Sequence, residues 1–277
     1  MEGTKDMYDV SILIPAIRTH LWERMYGSIE KSCKKNSFEL ILISTFDLPP
    51  ELEDHDNIKL IKDYGCPTRA GQIGSLHCEG KLLYHCVDDA IFRPNAIDTA
   101  IEFYNDNCSY KDAVNMRYRE GCNYAGNELA LSYWEAHTHG DLRSLRGIEP
   151  GWKISLHHLL DLQYFREIGG WDCQFEYLNH ALHDIMFRIQ ADGGNVFNSP
   201  IEITSCDWMP GESGDHAPIH NAQIFHDEPL FRRIYSVPGI AKSRTKIDID
   251  NWKKADEVWT RRFGEELPES YDSLMEN

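Results

Sequence analysis

The hydrophobic pattern of the first hundred residues predicts short buried strands that alternate with helices. Apolar runs without polar alternation are typical of parallel strands covered on both faces. Four such runs predict strands over residues 10–16, 39–44, 58–61 and 81–87. Thr19 is expected to cap a helix that follows it, and helical spacing predicts further helices over residues 68–79 and from Asn95 to about Tyr104. This order predicts an α/β fold with a mostly parallel central sheet flanked by helices.

The second half of the chain has a less regular pattern. The sequence predicts strands over residues 113–117 and 153–159, helices over 127–136 and 175–190, and one or two strands over 195–204. A turn is expected at Gly169-Gly170, a loop rich in Gly, Pro and Asp over 206–218, and a last helix over 252–263. Because no repeat or linker divides the chain, we expect a single domain over residues 1–277.

Composition and charge narrow the classes of function. Hydrophobic residues make up 42% of the chain and charged residues 26%, as in an ordinary globular protein. The formal net charge of −17 disfavours sequence-independent binding of nucleic acid over the whole surface, because that binding requires many Lys and Arg. An acidic chain that binds an anionic ligand usually needs a metal ion or helix N-termini to offset the repulsion.

Cysteines and termini indicate the compartment. The eight cysteines include no CxxC pair, so we expect reduced, mostly buried thiols. Residues 1–9 are polar and lack the basic start and apolar stretch of a signal peptide, and no apolar run approaches ~18 residues. These features predict a cytoplasmic protein without a membrane span.

Two neighbouring carboxylates, Asp88 and Asp89, follow the fourth predicted strand. In parallel sheets, ligands lie beyond the carboxyl ends of the strands. Adjacent carboxylates at such an end repel each other unless a cation or strong donors neutralise them, and hard oxygen ligands suit Mg²⁺ or Mn²⁺. The alternative is that Asp89 only caps the next turn.

A second group of candidates lies further along the chain. Asp184 and Arg188 are four residues apart on a predicted helix, where Asp184 is either a general base in a cleft or part of an ordinary surface ion pair. Three histidines in or beside the Gly-rich loop are either metal ligands or structural residues: His216, His220 and His226.

Taken in order, these segments resemble a family 2-like glycosyltransferase of the GT-A fold. The resemblance rests on VSILIPA and ELILIS, on a helix opened by Gly65-Cys66-Pro67, on Asp88-Asp89 followed by Pro94, and on IGGWD before Phe175 and an acidic helix. It covers residues 10–195, about two thirds of the chain. It implies a nucleotide-sugar-binding half over 10–118, an acceptor and catalytic half over 119–240, and a C-terminal helical extension over 241–277.

The resemblance also implies residue roles. Asp89 matches the aspartate that binds Mn²⁺ or Mg²⁺ in the family's DxD-type motif, and His216 is the candidate for an additional metal ligand. Asp184 matches the catalytic base, with His183 beside it to tune the base or contact the acceptor. The segment Gly170, Trp171 and Asp172 matches the one that shapes the acceptor site. Donor contacts are expected from eight residues: Pro15, Ala16, Arg18, Ser44, Asp47, Arg69, Gln72 and Asp88.

Several positions depart from the family pattern. Ser44 and Thr45 stand where a pair of aspartates usually reads the nucleobase. This departure leaves the nucleobase of the donor open, although a UDP-sugar is favoured. Gly71-Gln72 replaces the usual Arg-Asn, and His183 replaces a glutamate. We therefore expect retained catalytic residues and divergent donor recognition.

The sequence thus predicts a metal-dependent hexosyl- or pentosyltransferase that moves a sugar from a nucleotide-diphosphate sugar to an acceptor hydroxyl with inversion. The acceptor is a glycan or another hydroxyl compound. A modified DNA base is kept as a further acceptor, because the KSRTK stretch at 242–246 and Arg261-Arg262 form either a basic patch or a solvated surface.

Two other classes of function stay open. A sugar nucleotidyltransferase would normally carry a Gly-rich loop after the first strand, and residues 16–20 contain Arg18 but no glycine. A catalytically inactive GT-A module that binds nucleotide sugars would fit Ser44-Thr45 and His183.

Overall fold

The computed structural model describes residues 8–122, 128–134, 145–149, 151–207 and 222–255, with the backbone alone for 120–122, 128–134 and 207. The strands are β1 (Tyr8–Pro15), β2 (Phe38–Ser44), β3 (Ile58–Lys62), β4 (Gly80–His85), β5 (Ala90–Phe92), β6 (Ala113–Asn115), β7 (Tyr118–Cys122), β8 (Glu128–Trp134), β9 (His158–Asp161), β10 (Val196–Asn198) and β11 (Thr204–Asp207). The helices are α1 (Thr19–Ser32), α2 (Pro67–Leu76), α3 (Ala96–Asn107), α4 (Leu162–Glu167), α5 (Leu178–Ala191), α6 (Glu228–Tyr235) and α7 (Ile240–Ser243). Short turns of 3₁₀ helix lie at Pro50–Leu52 and Asn251–Lys254, and a π-helical turn at Gln223–Asp227 precedes α6.

Within the described residues, seven strands form the central sheet in the order β10-β6-β9-β4-β1-β2-β3. The neighbours β4-β1-β2-β3 run parallel, and β9 is antiparallel to both β4 and β6. A smaller sheet follows the order β5-β11-β7-β8. The prediction of an α/β fold with a mostly parallel central sheet is confirmed.

Two apolar cores cover the faces of the central sheet. Alternate residues of β1 enter opposite cores, with Leu13 in one and Ile12 and Ile14 in the other. Helices α1 and α3 cover one face, and α4, α5 and α6 cover the other. Since both faces of β1 and β2 are buried, these strands have the continuous apolar sequences from which they were predicted.

The elements of the first hundred residues lie close to their predicted positions. One local correction concerns α1, because Arg18 occupies its N-cap position without a side-chain capping bond and Thr19 is already helical. Helix α2 begins with Pro67 at its first position, and the sulfur of Cys66 accepts a hydrogen bond from the backbone N–H of Arg69. This helix ends at Leu76, three residues before the predicted end.

Predictions for the second half were less accurate. The helix predicted over 127–136 is wrong, because residues 128–134 form strand β8, which pairs antiparallel with β7. The strand predicted over 153–159 lies further along the chain, at His158–Asp161. The loop predicted over 206–218 and the helix predicted over 252–263 fall mostly outside the described residues, and residues 251–254 form a 3₁₀ turn.

Two further expectations concern thiols and membranes. Among the described side chains, seven cysteines are free thiols, and six of them are buried. Across the ranges given above, none of the helices combines the length and apolar character that crossing a membrane requires.

Candidate active site

The predicted site lies at the carboxyl edge of the central sheet. The pairing of β1 with β2 and β4 brings Pro15 beside Ile43, and Leu13 beside His85. The loops that follow these three strands therefore emerge together. They carry Ala16 to Arg18, Ser44 to Asp47, and Asp88-Asp89.

Asp88 holds the loop after β1. Its carboxylate is 2% exposed and accepts hydrogen bonds from the backbone N–H groups of Ile17 (2.7 Å) and Arg18 (2.6 Å). The guanidinium of Arg18 forms an ion pair with the same carboxylate at 2.5 Å. Burial alone raises the pKa of Asp88. Arg18 and the two N–H groups lower it by more than burial raises it, so the pKa lies below its ordinary value.

This bonding assigns Asp88 to the organisation of the β1 loop. Of the predicted donor contacts, Ala16 is buried and its N–H donates to the carbonyl of Ile43, while Pro15 is half-buried. Arg18 keeps 13% of its side chain exposed beside the Asp88 carboxylate. Direct contact between these residues and a donor stays a prediction.

Asp89 lies next to the start of the second sheet. It is 8% exposed, and its carbonyl oxygen accepts a hydrogen bond from Arg24 at 3.3 Å. Strand β11 pairs antiparallel with β5, so that Cys206 stands opposite Ala90. The next residues outward, Asp207 and Asp89, therefore stand at the same end of this strand pair. Asp207 was not selected from the sequence, because it falls within the loop predicted over residues 206–218.

The donor chemistry at this end fits a hard divalent cation. Asp89 supplies a carboxylate, whose oxygens Mg²⁺ and Mn²⁺ prefer as ligands, and such ions complete their coordination with waters and phosphate oxygens. Among the described side chains, no group of three or more His, Cys, Asp or Glu is placed to hold a metal by itself. The predicted ligand His216 lies outside the described residues, as does His220.

Three of the predicted donor contacts, Ser44, Asp47 and Arg69, form bonds within the protein. Ser44 is buried, and its hydroxyl accepts a hydrogen bond from the N–H of Phe46. Asp47 has 95% of its side chain exposed and pairs with Lys62 at 2.7 Å. Arg69 is buried and pairs with the fully buried Asp63 at 3.2 Å. Asp63 follows β3 at the sheet edge, and the sequence analysis did not select it because a single Asp after a short strand is common.

Gln72 holds the turn at Gly169-Gly170. Its amide oxygen accepts the N–H of Trp171 at 2.8 Å, and its amide nitrogen donates to the carbonyls of Gly169 (3.2 Å) and Ile249 (2.9 Å). Gln72 is 0% exposed. These bonds engage both polar atoms of the Gln72 amide within the protein, so they do not support the predicted contact between Gln72 and the donor.

The turn itself depends on glycine. Gly169 has φ +91° and Gly170 has φ +69°, conformations that L side chains rarely adopt. A Cβ on Gly169 would collide with the carbonyl of Ile247, and one on Gly170 would collide with the amide of Gln72. The turn predicted from the Gly-Gly pair is therefore confirmed, with steric reasons that only the tertiary structure provides.

Trp171 and Asp172 are buried, so the structure does not support direct contact between their side chains and an acceptor. Trp171 is 0% exposed and packs edge-on against Phe165 and His85, with ring centroids 4.9 Å and 5.2 Å away. Asp172 is 2% exposed, bonded to the N–H of Gln174 at 3.0 Å and to the guanidinium of Arg244. The segment can support the backbone of a site, whereas these two buried side chains do not present a surface to a ligand.

Asp184 occupies a buried ion cluster. Its carboxylate is 0% exposed and accepts hydrogen bonds from Arg188 (2.7 Å), Arg244 (2.8 Å) and the Tyr235 hydroxyl (2.6 Å). Burial raises the pKa of Asp184, but the two arginines and the hydroxyl lower it below its ordinary value. A general base needs access to the acceptor proton and a pKa near the working pH. This arrangement therefore does not suit the predicted role of Asp184 as the base.

His183 lies on another side of α5. Its ring is half-buried, 6.0 Å from the ring of His180 and 6.2 Å from that of Phe231. Consecutive helical residues point about 100° apart. The His183 ring lies against Phe231, whereas the Asp184 carboxylate is bonded to Tyr235, Arg188 and Arg244, so the structure does not bring this predicted pair together.

His226 is the described member of the three loop histidines. Its Nδ1 lies 2.8 Å from the carboxylate of Asp227 and 3.7 Å from that of Glu176. Asp227 in turn accepts the N–H groups of Glu176 (2.9 Å) and Tyr177 (2.7 Å). This set joins the π-helical turn to the segment before α5, which gives His226 a structural role.

Three buried histidines lie behind the site, and the sequence analysis did not connect them. His85 ends β4, His158 is the first residue of β9, and His157 precedes it. The ring centroid of His85 lies 6.2 Å from that of His157 and 5.8 Å from that of His158. Burial lowers the pKa of His85 to about 4 and that of His157 to about 3. We call these three residues the histidine cluster.

A C-terminal segment, residues 244–255, wraps around the Gly169–Asp172 turn. Asn251 accepts the N–H of Cys173 (2.7 Å) and donates to the carbonyl of Trp171 (3.1 Å). The guanidinium of Arg69 donates to the carbonyls of Trp252 (3.4 Å) and Ala255 (3.2 Å). The segment thereby connects the predicted donor side, at α2, with the predicted acceptor turn.

Comparison with known proteins gives a likeness in structure alone. No family model matches the chain, and no curated protein matches it in sequence. A structure of GalNAc-T7 with UDP, GalNAc and Mn²⁺ superposes with a TM-score of 0.58 and 15% identity, covering 77% of this chain and 46% of that one. A structure of S. aureus TarS 1–349 in complex with UDP gives 0.53 and 10%, covering 82% and 69%. A second TarS 1–349 structure gives 0.52 and 10%, covering 72% and 60%.

These neighbours are GT-A glycosyltransferases. The chain has the GT-A fold. It spans just under half the length of the GalNAc-T7 chain that it matches. At such low identities the likeness establishes the GT-A fold and no activity, and the family 2 assignment from the sequence stays a prediction.

Proposed function

We propose that the chain is a glycosyltransferase that moves a sugar from a nucleotide-diphosphate sugar, with UDP favoured, to an acceptor hydroxyl. The observation that carries the proposal is the Asp88–Arg18 arrangement at the carboxyl edge of the GT-A sheet. It fixes the loop after β1 beside Asp89, at the edge where ligands of such sheets lie. The GT-A neighbours solved with UDP support the donor class.

The proposed reaction is a single displacement with inversion. The acceptor oxygen forms a bond to the anomeric carbon as the bond from that carbon to the diphosphate oxygen breaks. The proton of the acceptor hydroxyl passes to solvent water, and the nucleoside diphosphate leaves with the electron pair of the broken bond and the resulting negative charge. Mn²⁺ or Mg²⁺ held by Asp89 would neutralise that charge. The chain's own part is to hold the β1 loop through Asp88 and to fix the turn at Gly169-Gly170.

We assign Asp184 to anchoring this turn. Its ion cluster joins α5 to Arg244, and Arg188 donates to the carbonyls of Ile168 (2.7 Å) and Gly170. The substitution Asp184→Asn is expected to lower the melting temperature and the activity together, as is Tyr235→Phe, which removes one hydrogen bond to the same carboxylate. If Asp184→Asn abolished turnover with an unchanged melting temperature, Asp184 would be the base that the sequence predicted.

Release of nucleotide from donors tests the function. The protein is incubated with a panel of UDP- and GDP-sugars and Mn²⁺, and the released product is identified. A glycosyltransferase releases a nucleoside diphosphate, and Asp89→Asn should remove both this release and the melting-temperature increase caused by UDP with Mn²⁺. Release of pyrophosphate from a sugar phosphate and a nucleoside triphosphate would instead identify a nucleotidyltransferase. UDP binding without any turnover would identify an inactive binding module.

A further inference from the structure

The charge of the protein is unevenly distributed along the chain. Residues 228–255 contain seven Lys and Arg but only three Asp and Glu, whereas the other 249 residues contain 21 and 42. An acidic protein thus carries one basic region near its C-terminal end. We call the exposed lysines of residues 242–254 the basic surface: Lys242, Lys246, Lys253 and Lys254.

The basic surface can exchange its present ion pairs for others. Lys253 pairs with Asp250 at 3.1 Å, and Lys254 lies 3.5 Å from Asp248. In both pairs the two side chains are at least half exposed. Exposed ion pairs contribute little to stability, so an incoming polyanion with a higher charge density can displace the aspartates.

The basic surface adjoins the turn that the proposed reaction requires. Arg244 lies between Lys242 and Lys246, and its guanidinium bonds to Asp172 and to Asp184. Asn251, just before Trp252 and the two lysines, bonds to the backbone of Trp171 and Cys173. A molecule bound along residues 242–254 therefore lies on the segment that packs against the Gly169–Asp172 turn.

An aromatic ring lies among these cations. Trp252 is half-buried, with the Arg69 guanidinium 5.6 Å and the Lys253 ammonium 5.5 Å from its ring centroid. Lysines interleaved with a partly exposed aromatic ring are typical of surfaces that bind single-stranded nucleic acid, where phosphates meet the cations and unpaired bases stack on the ring. A purely acidic peptide would use the cations but not the ring.

We propose that the basic surface with Trp252 binds a single-stranded nucleic acid, and that this strand carries the acceptor hydroxyl. The acceptor role rests on the proposed glycosyltransferase function, whereas binding of the strand does not. The acidic groups elsewhere in the protein repel the phosphate backbone, which favours binding of the strand at the basic surface.

Binding of a fluorescent single-stranded DNA oligonucleotide of mixed sequence tests the proposal, measured by anisotropy over a series of salt concentrations. The full chain is compared with Lys253→Glu/Lys254→Glu and with the matched control Lys31→Glu/Lys81→Glu. The control lysines are also exposed and lie in the last turn of α1 and at the start of β4, at the far ends of those elements from Asp88. Both variants change the net charge equally, and the melting temperature of each verifies its fold.

We expect the wild-type chain and the control to bind alike. The Lys253→Glu/Lys254→Glu variant should bind at least about tenfold more weakly, with the slope of log affinity against log salt smaller by about 2. Trp252→Ala should weaken oligonucleotide binding while leaving binding of poly-glutamate unchanged. Equal losses in both double variants, absence of binding at low salt, or poly-glutamate binding as tight as that of DNA would each overturn the proposal.

The melting-temperature increase caused by UDP with Mn²⁺, measured on the same samples, separates the two proposals. An increase with UDP but no binding of the strand contradicts the nucleic-acid proposal and leaves the transferase proposal standing. Strand binding without any effect of UDP contradicts the transferase proposal and, with it, the acceptor role of the strand.

Discussion

At the scale of single residues, Gly170 and Gly151 share a backbone conformation but not an environment. Their φ angles are +69° and +91°. A Cβ on Gly170 would collide with Gln72, whereas a Cβ on Gly151 would meet nothing within 4 Å. We expect Gly151→Ala to cost roughly 1 kcal/mol from the backbone alone, and Gly170→Ala at least about 3 kcal/mol. Urea unfolding of both variants measures the difference. Equal losses of unfolding free energy would show that the Gln72 side chain moves aside at little cost.

Substitution by asparagine at Asp88 and at Asp47 compares the stability contribution of a buried carboxylate with that of an exposed one. Asp88→Asn removes a buried charge that neutralises Arg18, so we expect a loss of about 3 kcal/mol in the free energy of unfolding. Asp47→Asn is the control, because Asp47 is 95% exposed and its pair with Lys62 is solvated. The control should leave the melting temperature unchanged. A stable Asp88→Asn variant would contradict the anchoring role.

At the scale of elements, the histidine cluster between β4 and β9 makes the stability of the folded protein depend on pH. The unfolded chain binds protons at these histidines near their ordinary pKa of 6.5, whereas the folded chain does not protonate His85 until about pH 4. Because the unfolded state then binds more protons, stability falls as the pH drops from about 6.5 towards 4. We expect the free energy of unfolding at pH 5 to be at least about 1 kcal/mol below that at pH 7.

Urea titrations at both pH values measure this effect, and His158→Phe provides the comparison. His158 is 0% exposed, and neither ring nitrogen has a hydrogen-bond partner among the described residues, so phenylalanine replaces a buried ring with a ring. The variant should lose part of the pH dependence. An unchanged dependence would place its source in other groups.

Elements with local signals were predictable, and those that depend on distant partners were not. Strands β1, β2 and β4 are buried on both faces, so their apolar runs identified them. Strand β8 is defined by its pairing with β7, while its Ala and Leu content also favours a helix. A preference of a few tenths of a kcal/mol per residue is easily overridden by such pairing.

The same distinction applies to the site. Asp88 and Asp89 were found because a strand end is visible in the sequence. The partner Arg244 lies 60 residues from Asp184, and no spacing connects them before the chain folds. Burial was equally hidden, since the sequence does not show that Gln72, Trp171 and Asp184 face inward.

At the scale of the whole molecule, the net charge of −17 predicts a response to salt. Repulsion among the acidic groups destabilises the compact state, and salt screens it. We expect the melting temperature to rise by a few degrees between about 20 mM and about 200 mM NaCl. Differential scanning fluorimetry measures it. A fall would mean that attractive ion pairs outweigh the repulsion.

The sequence distance between the Gly169-Gly170 turn and its bonding partners Arg244 and Asn251 has a consequence for biosynthesis. The partners at 244–251 are translated some 75 residues after the turn. A ribosome-bound chain whose Arg244 is still in the exit tunnel therefore lacks the groups that complete the turn. The central sheet can form while translation continues, and the turn becomes complete only after residues 244–251 have emerged.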